Sequence, residues 1–162
     1  MPITKTMPRS VLNHALVNDH ELGLNHSANT SIAIGPDAAP LHVDKSVGHN
    51  TYIGRRVAVL AGAPSSDEFN TAIGSEAMAE NTGVQNTIMG YDALSETSDG
   101  ARNTAIGYKC MKNSTGGNNS SVGYQSLRNC TGNGNTSIGY VAGRSLGSGQ
   151  KILQWVMKPL VM

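Results

Sequence analysis

Large apolar residues along this chain are few, and they recur at a fixed spacing. Nearly the same phrase is written five times: "NTAIGSEAM" from Asn70, "NTIMGYDAL" from Asn86, "NTAIGYKCM" from Asn103, "NSSVGYQSL" from Asn119 and "NTSIGYVAG" from Asn135. The glycines Gly74, Gly90, Gly107, Gly123 and Gly139 mark it, at intervals of 16, 17, 16 and 16 residues. Two divergent copies, "NTSIAIGPDA" at 29–38 and "NTYIGRRVAV" at 50–59, precede them around Gly35 and Gly54, with intervals of 19 and 20. Each column has a character. Before the glycine comes a large apolar residue: Ile73, Met89, Ile106, Val122, Ile138. Four after it come Met78, Leu94, Met111 and Leu127, then Gly143. Three after it the residue is always small, as at Ala77, Ala93, Cys110, Ser126 and Ala142. One after it are Ser75, then Tyr91, Tyr108, Tyr124 and Tyr140.

A unit with about two large apolar side chains cannot offset a backbone ordering cost of about 1–2 kcal/mol per residue, so the units must stack. Helical hairpin repeats need about 33–47 residues, more than this period supplies. The spacing therefore predicts an all-β chain: a parallel β-solenoid or β-roll of about 16-residue coils over 29–149, with two short strands per coil and coils about 4.8 Å apart. The apolar columns should become a continuous inner ridge. Each marker glycine should supply a positive φ or a close backbone approach at a corner. Asn70, Asn86, Asn103, Asn119 and Asn135 should stack as an amide ladder. "EAMAE" and "DALSE" carry helix-favouring residues and offer single helical turns as an alternative.

Composition sharpens this picture. Of 162 residues, 19 are Gly, only 4% are aromatic and 14% are charged, which leaves a thin core. A roll so thin is best stabilised by association, and an elongated homotrimer burying a second apolar ridge between subunits is the expectation. The net charge of +1 gives no reason to expect nucleic acid as a partner, and no apolar run is long enough for membrane insertion. The N-terminal residues lack the apolar core of a signal peptide. Cys110 and Cys130 occupy different repeat offsets and read as free, small residues.

"NTSIAIGPDA" resembles the Ser-Val-Ala-Ile-Gly repeat of trimeric autotransporter adhesin heads. "NTAIGYKCMKNSTGGNNSSVGYQSLRNCTGNGNTSIGY" is similar to the longer repeat of phage tail-fibre proteins, which often end in an endosialidase-type intramolecular chaperone. The likeness covers about 29–149. It implies an elongated trimer of parallel β-rolls on a virion or cell surface, used for attachment. Its implied partners are a host cell-surface glycan or protein receptor and other virion tail proteins. An export signal, a membrane anchor and the chaperone domain are not legible in the chain. The missing signal favours a virion tail fibre, assembled in the host cytoplasm, over a bacterial cell-surface adhesin.

No catalytic, cofactor or metal residues are expected. His14, His20, His26, His42 and His49 lie in the first 50 residues without ligand spacing and read as exposed or interface side chains. Asp19 with Glu21, and Asp67 with Glu68, read as solvated loop carboxylates. "STGGNNS" and "TGNGNTS" put Asn where a calcium-binding roll places Asp, and no Gly-Lys-Ser/Thr follows to make a phosphate loop. No His follows His49, which leaves the serines without a base. A polysaccharide-degrading tailspike would need converging carboxylates, and the regular copies from Asn70 hold few, at Glu76, Glu80, Asp92, Glu96 and Asp99. An ice-binding solenoid would need a Thr-x-Thr array, whereas the marker phrase offers a single Thr, at 71, 87, 104 and 136. The Tyr column reads either as a sugar-binding face or as a structural stack, with structure the stronger reading.

Residues 1–28 read as an attachment or capping segment. Residues 150–162 read as a non-repeat tail. Back-translated one nucleotide out of frame, "KILQWVMKPLVM" permits Asn-Thr-Ala-Met-Gly-Tyr-Glu-Ala-Leu-Ser-Asn, a further repeat with its glycine in place. The tail is thus expected to be a frameshifted remnant that leaves the solenoid, with Trp155 and Leu160 exposed.

Overall fold

A computed structural model describes residues 14–17, 20–26, 31–39, 48–60, 68–96, 100–148 and 153–156, with the backbone alone for 14–17, 20–26 and 154–156. Among these residues, ten strands form one sheet in chain order: β1 (His14–Val17), β2 (His20–His26), β3 (Ile32–Ile34), β4 (Thr51–Ile53), β5 (Thr71–Ile73), β6 (Thr87–Met89), β7 (Thr104–Ile106), β8 (Ser120–Val122), β9 (Thr136–Gly139) and β10 (Leu153–Val156). Strands β3 to β9 are all parallel and in register, so Thr71 lies opposite Thr87, Thr87 opposite Thr104, and Ile73 opposite Met89. The all-β parallel solenoid with coils about 16 residues apart is therefore the observed architecture. At its N-terminal end β1 and β2 pair antiparallel, and β2 pairs antiparallel with β3.

Several expectations need correction. Among the described residues each coil carries one strand of three or four residues, and not two; the rest is turns and irregular chain. "EAMAE" and "DALSE" form no helical turn, because Glu76, Met78, Asp92 and Leu94 take left-handed backbone angles of φ 59°, 56°, 56° and 47°. The tail does not leave the roll: β10 runs parallel to β9, with Trp155 opposite Ile138 and Val156 opposite Gly139. The physical reason is that the last repeat strand offers unpaired N–H and C=O groups, which any extended segment can satisfy whatever its side chains. The exposure expected of Trp155 and Leu160 lies outside the described residues.

The left-handed turns are what let a 16-residue coil close. Glu76, Asp92, Lys109, Gln125 and Val141, two residues after each marker glycine, have φ between 51° and 59°. Met78, Leu94, Met111 and Leu127, four after it, lie between 47° and 56°. Each such residue turns its peptide plane over. The N–H of Asp92 therefore donates back to the carbonyl of Ser75, while the N–H of Leu94 donates forward to the carbonyl of Cys110. The same alternation recurs at Lys109 and Met111, and at Gln125 and Leu127. Non-glycine residues in this region cost of order 1–3 kcal/mol each, and an inter-coil hydrogen bond at each position offsets it.

The core is a narrow file. A three-residue strand turns only its middle residue inward. Ala72, Ile88, Ala105, Ser121 and Ser137 are accordingly buried, with Tyr52 and Ala33 above them. The small column (Ala77, Ala93, Cys110, Ser126, Ala142) and the next column (Met78, Leu94, Met111, Leu127) fill the opposite wall. At the last coil, where Gly143 replaces that large side chain, Leu146 packs against the core. The column before the marker glycine is not part of the inner ridge. Ile73, Ile106 and Ile138 are half-buried, while Met89 and Val122 are 50% and 38% exposed, because all of them sit one position past the inward-facing residue.

Candidate functional site

The repeat columns assemble three structures: a buried asparagine ladder, an exposed tyrosine stack and an outer sheet face. The ladder holds the coils together. Asn70, Asn86, Asn103, Asn119 and Asn135 are all buried. Each Oδ1 accepts from the backbone N–H of the next asparagine: Asn86 N–H to Asn70 at 2.9 Å, Asn103 to Asn86 at 2.8 Å, Asn119 to Asn103 at 2.9 Å and Asn135 to Asn119 at 2.8 Å. The Nδ2 groups reach across the coil instead. Asn70 donates to the carbonyl of Gly83 at 3.0 Å, Asn86 to Gly100 at 2.8 Å, Asn103 to Gly116 at 3.1 Å and Asn119 to Gly132 at 3.0 Å. The ladder expected from the spacing is present, built mainly from amide-to-backbone bonds and not from amide stacking alone. It satisfies two groups per coil that burial would otherwise leave unpaired.

The glycines are the other half of that joint. Gly74, Gly90, Gly107 and Gly123 have φ between 133° and 142°, and a Cβ on any of them would collide with the carbonyl oxygen of the next marker glycine. Both functions expected of this column therefore apply at once. A second glycine column, Gly83, Gly100, Gly116 and Gly132, is not anticipated from the marker phrase. A Cβ on Gly83 or Gly116 would meet the backbone of the next member. Its signal was available as a glycine nine or ten residues after each marker from Gly74 to Gly123. These carbonyls accept the asparagine amides, so the turns in "STGGNNS" and "TGNGNTS" direct them inward. Among the described residues, no cluster of three His, Cys, Asp or Glu could hold a metal ion.

Tyr91, Tyr108, Tyr124 and Tyr140 stack ring on ring, with centroids 5.5, 5.1 and 5.1 Å apart and planes within 14°. Exposures between 40% and 68% leave their edges and hydroxyls in solvent. A sugar stacks on a ring face, and here the internal faces are spent on neighbouring tyrosines. Lys109 Nζ lies 5.1 Å from the Tyr108 ring centroid, and Gln125 Nε2 donates to the Tyr124 hydroxyl at 3.2 Å. This geometry suits a structural stack with a polar outer edge.

Several repeat carboxylates are tied up in ion pairs. Buried Asp92 accepts from Lys112 at 2.7 Å and from the Ser95 hydroxyl, with Lys109 at 4.0 Å. Glu96 takes the same Lys112 at 2.9 Å, and Glu76 faces Arg55 and Arg56 at 3.5 and 3.7 Å. The hydrogen bond to Asp92, then that to Glu96, raises the Lys112 pKa. Asp19, Asp67 and Asp99 lie outside the described residues. Of the histidines, His49 is exposed and stacks on Phe69 at 5.3 Å; the side chains of His14, His20, His26 and His42 lie outside the described residues.

Cys110 and Cys130 are free and buried, as their unequal offsets imply. Cys110 Sγ donates to the Ser121 carbonyl at 3.4 Å. Burial pushes its thiol up to about 11 and also raises that of Cys130.

The outer face of β3 to β9 carries two columns. One is Ile32, Thr51, Thr71, Thr87, Thr104, Ser120 and Thr136. The other is Ile34, Ile53, Ile73, Met89, Ile106, Val122 and Ile138. Comparison with protein families, with curated proteins and with solved structures finds no match to this chain.

Proposed function

We propose that this chain is a structural and adhesive module of a virion, a tail-fibre shaft or receptor-binding segment that attaches to a glycan or protein on a bacterial host. The observation that supports it most is the outer sheet face. Ile53, Met89 and Val122 are 37%, 50% and 38% exposed and align with Ile73, Ile106 and Ile138 into one apolar stripe. With strands about 4.8 Å apart, seven of them make a stripe roughly 30 Å long. An apolar file with that repeat fits a second file of the same repeat, and a parallel copy of this roll supplies one. Closed association of three copies about a common axis hides all three stripes and leaves the tyrosine edges outside. On this reading the protein spaces and binds and breaks no bond; the lateral ion pairs of Asp92, Glu96 and Glu76 are in keeping with that.

Sedimentation equilibrium tests the assembly and binding to host cells tests the role. A trimer that dissociates when Ile106 and Met89 are replaced by Asp, while the coil signature in circular dichroism persists, is the expected result. A stable folded monomer overturns the assembly. A trimer that binds no host cell, with capsule and lipopolysaccharide both varied, overturns the attachment role.

A further inference from the structure

The turn between the Gly132 carbonyl and the Asn135 rung contains Asn133 followed by Gly134, the one Asn–Gly step in the chain. Asn is among the thermolabile residues. Glycine after it, with no Cβ, leaves the amide flank open to ring closure. Both residues are exposed. The asparagines of the ladder, by contrast, are buried and are followed by Thr or Ser.

In the folded roll the two reacting groups are held by a single residue of the preceding coil. Asn133 Oδ1 accepts from the N–H of Gly117 at 2.7 Å. The N–H of Gly134 donates to the carbonyl of Gly117 at 3.1 Å. The second bond belongs to every coil: Gln85 to Glu68, Arg102 to Val84 and Asn118 to Ala101 are its equivalents. The first is an addition that Asn133 makes. Together they direct the side-chain amide and the backbone nitrogen at Gly117 and not at each other.

We propose that Asn133–Gly134 is a deamidation site that Gly117 latches shut, and that it reacts when this coil opens. The Gly134 nitrogen attacks Asn133 Cγ, forming a C–N bond. The Cγ–Nδ2 bond breaks, and the Gly134 proton leaves with the amine as ammonia. Solvent water then opens the resulting succinimide at either carbonyl, yielding aspartate or isoaspartate. The two products differ in consequence. Aspartate keeps an oxygen acceptor for Gly117. Isoaspartate inserts a methylene into the backbone two residues before Asn135, which shifts that rung of the ladder out of register. The site thereby records opening of the C-terminal coils as a permanent covalent mark.

The test incubates the full chain in mildly alkaline buffer, folded and in urea. Trypsin then releases residues 129–144, which are read for the mass gain of amide-to-acid conversion and for isoaspartate. Conversion at Asn133 should be slower by about tenfold or more in the folded protein, since exchange-type reactions follow the population of the open coil. Sub-denaturing urea, and Leu127→Ala beneath the same coil, should both speed it; the urea series decides the matter if that variant does not fold. Gly134→Ala should slow the reaction in urea. Equal rates in the two states overturn the latch. Earlier conversion at another asparagine, or none at Asn133 in urea, overturns the site.

Discussion

Two columns of large apolar residues run through the regular coils of this roll, and they meet opposite fates. Met78, Leu94, Met111 and Leu127 are fully buried against the small residues beside them. Ile73, Met89, Ile106, Val122 and Ile138 are as large and as regularly spaced, yet they line the outer face, half-buried to half-exposed. Hydrophobicity and period are the same in both columns. What separates them is backbone geometry. The first follows a left-handed turn that aims it across the coil. The second sits on a strand whose single inward position is taken by its neighbour, Ala, Ile or Ser. An apolar column is therefore not a core column by right. One of the two builds the coil, and the other is available to a neighbour.

The strongest way to break the comparison is to remove the spacing on which both columns depend. Gly107→Ala places a Cβ against the Gly123 carbonyl at a φ of 133°, so a loss of about 4 kcal/mol or more is expected, seen as a large fall in unfolding temperature. The next test separates the columns. Leu94→Ala should cost about 2–5 kcal/mol by cavity formation. Ile106→Ala should change monomer stability by less than about 1 kcal/mol and act mainly on self-association. Denaturant titration with sedimentation of both variants checks this, and equal losses of stability would erase the distinction.

The ladder joins the columns and offers a third test. Asn103→Ala leaves the Asn119 N–H and the Gly116 carbonyl without the partners Asn103 supplies, at about 1–3 kcal/mol for each buried group. Asn103→Asp separates the two bonds, because it keeps the acceptor and loses the amide donor. It should cost less than the alanine variant if the N–H bond dominates. Urea titration of the pair gives the answer.

The last test is electrostatic, is confined to alkaline pH and lies in the interior beside the buried column. Cys110 ionises at 9.0 when unperturbed and at about 11 in the roll. Below 9.0 it is neutral in both folded and unfolded chains, and its contribution is fully present. As pH rises from 9.0 through about 11 the unfolded chain loses the proton first, so stability falls across that window. Cys110→Ala should flatten part of the alkaline decline. An unchanged slope of stability against pH would show that the thiol is not shielded.

Much of the fold is legible in the marker phrase. The spacing of Gly74, Gly90, Gly107 and Gly123 states a coil of fixed length, too short for paired helices. The recurrence of Asn70, Asn86, Asn103 and Asn119 states that a buried polar rung repeats with it. The strand count per coil is not legible, because apolar residues of one 16-residue unit can be divided between one strand or two. The left-handed turns are hidden as well. Glu76, Met78 and Leu94 favour helix by intrinsic propensity, and inter-coil hydrogen bonds override that preference. The tail is the opposite case. Its side chains carry no repeat, yet Leu153–Val156 joins the sheet, since backbone pairing does not read side chains.

The sequence by itself determined the period, the parallel register and the identity of the residues that cannot change, because a glycine that touches the next coil and an asparagine that bonds it must recur at every coil. Only the tertiary structure decided which apolar column faces inward and where the asparagine amides end. Those outcomes depend on peptide orientation at each turn, which is set by contacts between coils and not by any residue within one.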